Sequence, residues 1–208
     1  MAALPQPIPA MTEAEYLEFE RASEIKHEYL YGEIFAMAGA SWNHSVICVN
    51  VSTSLNLQLV DKDRIVTSTD LRLKTFAVSS YRYPDVMVIC GKPQFVDNRN
   101  DTISNPTIIV EVLSPSTSMI DRNEKLQEYL QIESLQEYVL VSQNQARIER
   151  YLRQDSGDWL YTQASGLQGS IELPSVSCKL PLSDIYKKVS FGKVEADDEA
   201  DSTDASER

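Results

Sequence analysis

Cysteine is scarce in this chain, three in 208 residues, and no two form a Cys-x-x-Cys pair. Histidine is scarcer still, with only His27 and His44. That shortage speaks against a zinc site, and Cys48, Cys90 and Cys178 read as reduced, partly buried thiols. No apolar run approaches the length of a membrane span. Met1 to Ala10 lacks the basic region and apolar stretch of a signal peptide, so the expectation is a cytoplasmic protein without a membrane partner. A Gly-rich phosphate loop, a G-x-S-x-G elbow and a Cys nucleophile beside a His are all missing. Positive charge is also in short supply: the net charge is -12. That balance is wrong for a nucleic-acid enzyme at first sight. Its distribution softens the objection, because seven acids from Glu195 to Glu207 stand against Arg208 alone. An acidic body can still carry a local basic groove.

The apolar fraction of 42% suits a globular chain, and 208 residues suffice for one domain with a sizeable core. Residues 1–10 read as a flexible Pro-rich lead, 11–193 as the domain, and 194–208 as a disordered acidic tail. Thr12-x-x-Glu15 predicts a capping box and a short helix. Tyr29 to Met37 reads as a strand broken by Gly32. Ser41 can cap a helix running to about Leu59, with His44, Ile47, Cys48, Val51 and Leu55 on one face. Arg64 to Lys74 alternates like one strand. Asp121 reads as the cap of a helix ending near Glu133. Glu137–Val141, Ala146–Arg153, Trp159–Gln163 and Ser170–Leu173 read as further strands.

The informative stretches are two apolar strands that carry carboxylates. Asp85-Val86-Met87-Val88-Ile89 opens on an acid, and Ile108-Ile109-Val110-Glu111-Val112-Leu113 encloses one. Period two puts Glu111 on one side with Ile109 and Leu113. A carboxylate inside an apolar run is costly unless paired. Two readings stand: a structural salt bridge to Arg72 or Arg82, or a divalent cation shared with Asp85. Asp85 likewise reads as a turn cap or as a metal ligand.

Several motifs, in order, resemble the bacterial Uma-type restriction-endonuclease-like family, a branch of the PD-(D/E)XK nucleases. They are Tyr29-Leu30-Tyr31-Gly32-Glu33-Ile34, Ala38-Gly39-Ala40-Ser41 with His44, Tyr83-Pro84-Asp85-Val86, Glu111-Val112-Leu113-Ser114, Asp121-Arg122-Asn123-Glu124-Lys125 and Leu135-Gln136-Glu137-Tyr138. The resemblance implies an α/β fold: a restriction-endonuclease-like mixed central sheet flanked by helices, with an antiparallel extension. It implies Mg²⁺ or Mn²⁺ held by Asp85 and Glu111, a DNA substrate and a homodimer. The superfamily's lysine two residues after its Glu is absent, since Leu113 stands there. Lys125 is the substitute, and its own spacing with Tyr129 and Ile132 sets it at the border of an inward helix face.

Glu33 and His44 are accessory candidates, the first as a third carboxylate, the second as a phosphate contact or acid-base group. Arg64, Arg72, Lys74 and Arg82, with Lys62, are the densest basic set; the face that Arg72 and Lys74 share with Asp70 reads most simply as a solvated salt-bridge surface, and otherwise as the edge of a groove where these residues are the expected DNA contacts. Tyr81, Tyr83 and Trp42 are open to base stacking or to core packing. The reading is a metal-dependent DNA endonuclease. Its alternatives are an inactive nuclease-fold module that binds DNA or protein, and a phosphodiesterase acting on RNA or a small nucleotide.

Overall fold

In the computed structural model, which describes residues 11–114 and 118–192, the two acid-bearing runs are adjacent strands of one sheet. The first helix, α1 (Glu13–Ala22), starts at the Thr12 capping box. Strands β1 (His27–Leu30) and β2 (Glu33–Ala36) form a hairpin. Its two central residues, Tyr31 and Gly32, have φ of 50° and 95°, as a tight right-twisted hairpin loop requires. Helix α2 (Trp42–Leu59) is capped by the Ser41 hydroxyl, which accepts from the His44 N–H. Its buried face is Ile47, Val51, Leu55 and Leu59, each contributing about 2 kcal/mol by leaving water.

Next come β3 (Arg64–Ser68), β4 (Arg72–Thr75), β5 (Ser80–Arg82), β6 (Val86–Cys90), β7 (Thr102–Ile103) and β8 (Ile108–Leu113). Helices α3 (Ser118–Arg122) and α4 (Glu124–Tyr129) lead to β9 (Glu137–Ser142), β10 (Arg147–Arg153) and β11 (Trp159–Ser165). The hairpin β12 (Ser170–Leu173) and β13 (Cys178–Pro181) precedes α5 (Leu182–Ile185).

The larger sheet runs β11-β10-β9-β8-β6-β3. Only β8 and β9 pair parallel in it, so α3 and α4 form the crossover. A second sheet runs β2-β1-β5-β4-β7. The fold is thus mixed α/β, with mixed sheets flanked by a few helices. Strand alternation divides the core as period two demands. Val86, Val88, Ile108, Val110 and Val112 face α2. Met87, Ile89, Ile109, Leu113, Tyr138 and Leu140 face Leu73 and Ile103 of the second sheet, with Tyr129 of α4. Glu111 belongs by parity to this second face.

Two expectations need correction. Arg64 to Lys74 is two strands in two sheets, because the chain turns after Ser68, where Leu71 N–H donates to the Ser68 carbonyl. The helix expected from Asp121 to about Glu133 is two short ones, broken at Asn123, whose φ and ψ of -118° and -73° stay right-handed but depart from regular helical values. Asp121 is a buried member of α3, and the residue at the cap position of α4 is Asn123. The lead and the acidic tail lie outside the described residues. No helix among the described residues is long and apolar enough to cross a membrane.

A buried carboxylate of the crossover, Glu128, helps fasten the second sheet to it. Glu128 of α4 accepts from Arg82 at 2.9 Å and from Thr75 at 2.9 Å, and also from Ser80. Both ion-pair members are 4% exposed. Removing one charge strands the other in the interior, so Glu128→Ala is expected to cost about 3 kcal/mol or more. Urea denaturation of the variant checks this; a loss under about 1 kcal/mol, the value of an exposed pair, would refute it.

Candidate active site

Asp85 lies one residue before β6, whose register pairs Val86 with Val110. Continuing that register one step sets Asp85 opposite Glu111, and residues directly opposite in an antiparallel pair share a face. The Asp85 carboxylate accepts from the Val112 N–H at 2.7 Å, which fixes its Oδ2 at the mouth of the sheet. Glu111 is 3% exposed. Its Oε1 accepts from Lys125 Nζ at 3.1 Å and from the Tyr129 hydroxyl at 3.0 Å. The lysine on the following helix therefore reaches the acid it was expected to serve. It does so from inside the protein, at 7% exposure, rather than from a half-exposed border.

Lys125 has two further carboxylate neighbours that sequence reasoning missed. Asp121 Oδ1 stands 3.2 Å from its Nζ, one helical turn back, and Glu28 Oε1 stands at 3.5 Å. Glu28 comes from β1, where Arg82 holds its other oxygen at 2.8 Å. The Asp121–Lys125 spacing of four was visible in the sequence. Nothing in His27-Glu28-Tyr29-Leu30 marks Glu28 as inward. Glu33, the expected third acid, is exposed on β2 beside Leu30 and makes no ion pair among the described residues.

Negative charge exceeds positive here. Burial pushes the Glu111 carboxyl up to about 8; Lys125 opposes this, while Asp85, Asp121 and Glu28 add to it. Burial disfavours the Lys125 ammonium, but Glu111, Glu28 and Asp121 outweigh it and hold the group charged. Glu28 is also buried, yet Lys125 and Arg82 draw its carboxyl below the ordinary range.

His44 does reach the cleft. Its Nε2 lies 3.2 Å from Asp85 Oδ2. Burial pulls the imidazole down, and the hydrogen bond and charge of Asp85 more than reverse that. One turn further along α2, Cys48 Sγ lies 3.5 Å from His44 Nδ1. A cysteine beside a histidine, absent in the linear sequence, is thus present in space. Burial pushes its thiol up, as do the charges of Asp85 and Glu111, so it is not an activated nucleophile.

The expected basic groove is corrected. Arg72 is buried against Asp101 at 2.7 Å, Lys74 pairs with Glu13, and Arg82 is spent on Glu28 and Glu128. Arg64 is half-buried and donates to the Asp63 carbonyl at 3.1 Å. These cations are close in sequence, but each of the first three found an acid elsewhere in the fold. Tyr81 and Tyr83 are also buried. Trp42, two residues ahead of His44, is 77% exposed.

Comparison with known proteins gives the family and the fold. The family model described as "Uma2: Putative restriction endonuclease" matches residues 13–183. Two uncharacterised proteins of Synechocystis sp. are similar. One, sll1609, is 41% identical over 162 residues, 78% of this chain and 92% of its own. The other, slr1290, is 39% identical over 189 residues, 89% of this chain and 96% of its own. A crystal structure described as a putative nuclease belonging to DUF820, from Anabaena variabilis, superposes with a TM-score of 0.68. It covers 85% of this chain and 97% of its own at 18% identity, a likeness of fold.

The raised Glu111 carboxyl has a consequence for stability. A group whose folded value lies above its unfolded value stabilises fully below the latter and ceases to do so above the former. Metal-free protein should therefore lose this contribution as the pH rises from about 4.5 to about 8. Glu28, held low, has the opposite sign and finishes titrating below that window. Melting temperatures measured in chelator across this range should fall more steeply for the native protein than for Glu111→Gln. Parallel curves would count against a buried, uncompensated Glu111.

Proposed function

The chain belongs to the Uma2 putative restriction endonuclease family, and from that premise we propose that it is a divalent-metal-dependent endonuclease hydrolysing DNA phosphodiesters. One observation carries the reading. Glu28, Glu111 and Asp121 stand within 3.5 Å of the one ammonium of Lys125, and Asp85, from the chain entering β6, adds its charge to Glu111. Such a cluster fits Mg²⁺ or Mn²⁺: it offers hard oxygen donors and more negative charge than Lys125 balances. Asp121 Oδ1 is moreover buried with no aligned hydrogen-bond donor among the described residues.

Asp85 and Glu111 would hold the ion, with Asp121 and Glu28 beside them. A bound divalent cation would polarise the phosphoryl oxygens and lower the pKa of the attacking water. The protein's own groups do the rest. Val112 N–H keeps Asp85 aimed at the cleft. Lys125, held charged beside Glu111, can neutralise charge developing on the phosphoryl group. Glu111, raised toward neutrality in the metal-free protein, would give up its proton as the ion binds. With the expected arginines buried, contact with nucleic acid falls to groups such as Trp42, whose exposed ring offers a base a stacking face. A homodimer, implied by the family resemblance, would present two such sites to two strands.

The test is cleavage of plasmid, single-stranded DNA and RNA with Mg²⁺ or Mn²⁺. Asp85→Asn keeps an acceptor for Val112 N–H and removes the charge. It should lower cleavage by roughly 10²-fold or more while leaving the melting curve close to native. Absence of metal-dependent turnover on every substrate would replace the enzyme by a binding module. Trp42→Ala should weaken DNA binding by about 1–3 kcal/mol, measured by titration of a labelled oligonucleotide; unchanged affinity would remove the ring from the interface.

A further inference from the structure

His44, Cys48 and Asp85 form a group whose ligand-type atoms all lie within 4.8 Å of one another, the one such group of three among the described residues. Two come from successive turns of α2, and the third from the chain entering β6. The internal geometry is ordered. Nε2 of the imidazole faces Asp85 Oδ2 at 3.2 Å, and Nδ1, on the other side of the ring, faces Cys48 Sγ at 3.5 Å. A contact at each ring nitrogen sets the orientation of the imidazole, and the helix that carries it is anchored. Ser41 caps the helix at the His44 N–H, and Ile47 and Val51 bury the adjoining face. His44 and Asp85 side chains are 17% and 13% exposed, so the pair is sheltered but reachable.

We propose that His44 Nε2 and Asp85 Oδ2 are neighbouring ligands of one transition-metal ion, and that Cys48 orients the imidazole from behind. This deepens the nuclease reading and rests on it for the ion. Two donor atoms about 2.1 Å from a shared ion, at angles between a right angle and a tetrahedral one, stand about 3.0–3.4 Å apart. The observed separation falls inside that interval, so an ion could replace the proton between the two atoms with little movement. An imidazole that ligates through Nε2 carries its proton on Nδ1 and needs an acceptor there, and Cys48 Sγ is in that position. The sulfur is behind the ring from Nε2, which casts it as orienting residue rather than ligand. A nitrogen donor beside carboxylates favours Mn²⁺ and other transition metals over Mg²⁺, which takes oxygen and water.

The experiment is pulsed electron paramagnetic resonance of Mn²⁺ bound to the full chain. The native protein should show the nitrogen modulation of a ligating imidazole. His27, the other histidine, is engaged by Glu20 Oε2 at 3.0 Å, and His44→Gln settles which residue gives the signal. That variant should lose the modulation and bind Mn²⁺ roughly 10-fold or more weakly, with Mg²⁺ affinity changed far less. Cys48→Ser, which keeps a polar neighbour for Nδ1, should retain the modulation. Bound Mn²⁺ without nitrogen modulation in the native protein would overturn the His44 assignment and leave the carboxylate site standing. No Mn²⁺ binding at all would overturn both. With Co²⁺ in place of Mn²⁺, a thiolate-to-metal absorption band lost in Cys48→Ser would make the cysteine a ligand and reject its orienting role.

Discussion

The ammonium of Lys125 is the point on which both sheets depend. It is nearly removed from water, and it lies within 3.5 Å of carboxylates from β8, α3 and β1. An isolated charge in that position would be untenable. The two sheets and the crossover must therefore meet where they do, or the lysine and its acids lose their partners. Glu28 extends the constraint, since its second oxygen belongs to Arg82, and Arg82 in turn belongs to Glu128. Charges alternate along this line, which leaves α4 at Lys125, crosses β1 and β5, and returns to α4 at Glu128. Hydrophobic contact joins the layers as well, through Leu73, Ile103 and Tyr129 against Ile109 and Leu140. Apolar contact is not directional, and it is the ion pairs that prescribe which residue faces which.

The site's chemistry follows from the same imbalance. One ammonium does not neutralise the acids near it, so Glu111 resists ionisation. A protein without a use for that region would have little reason to retain so many acids there. The surplus is what makes the proposed divalent ion an economical partner, and the inferred nitrogen ligand extends the same pocket toward α2.

Much of this was legible in residue order. Asp85 and Glu111 announce themselves because a carboxylate in an apolar strand has few structural excuses. The helix from Ser41 and the face shared by Glu111, Ile109 and Leu113 follow from simple periodicity. What could not be read was pairing across distance. Arg72, Lys74 and Arg82 look like a basic surface because only Asp70 and Asp85 stand near them in sequence. Their partners, Asp101, Glu13 and Glu128, arrive only when the chain folds. Glu28 was hidden for the same reason, and Glu33, just past Gly32 on a strand, looked the better acid. Asp121 was misread because an acid at an expected helix start resembles a cap, whereas the break at Asn123 falls two residues later.

Arg82 makes bonds to two glutamates on different elements, one of which also faces Lys125. In evolutionary terms such a residue is hard to change alone. Loss of Arg82 leaves Glu128 without its ion pair and Glu28 with Lys125 alone, and loss of either acid leaves the guanidinium a single carboxylate. Drift at these positions has to be concerted, with compensating exchanges at Arg82 and Glu128 arising on one lineage before Glu28 is free to vary. A residue remote from any reacting atom thereby inherits the selective pressure of the cleft.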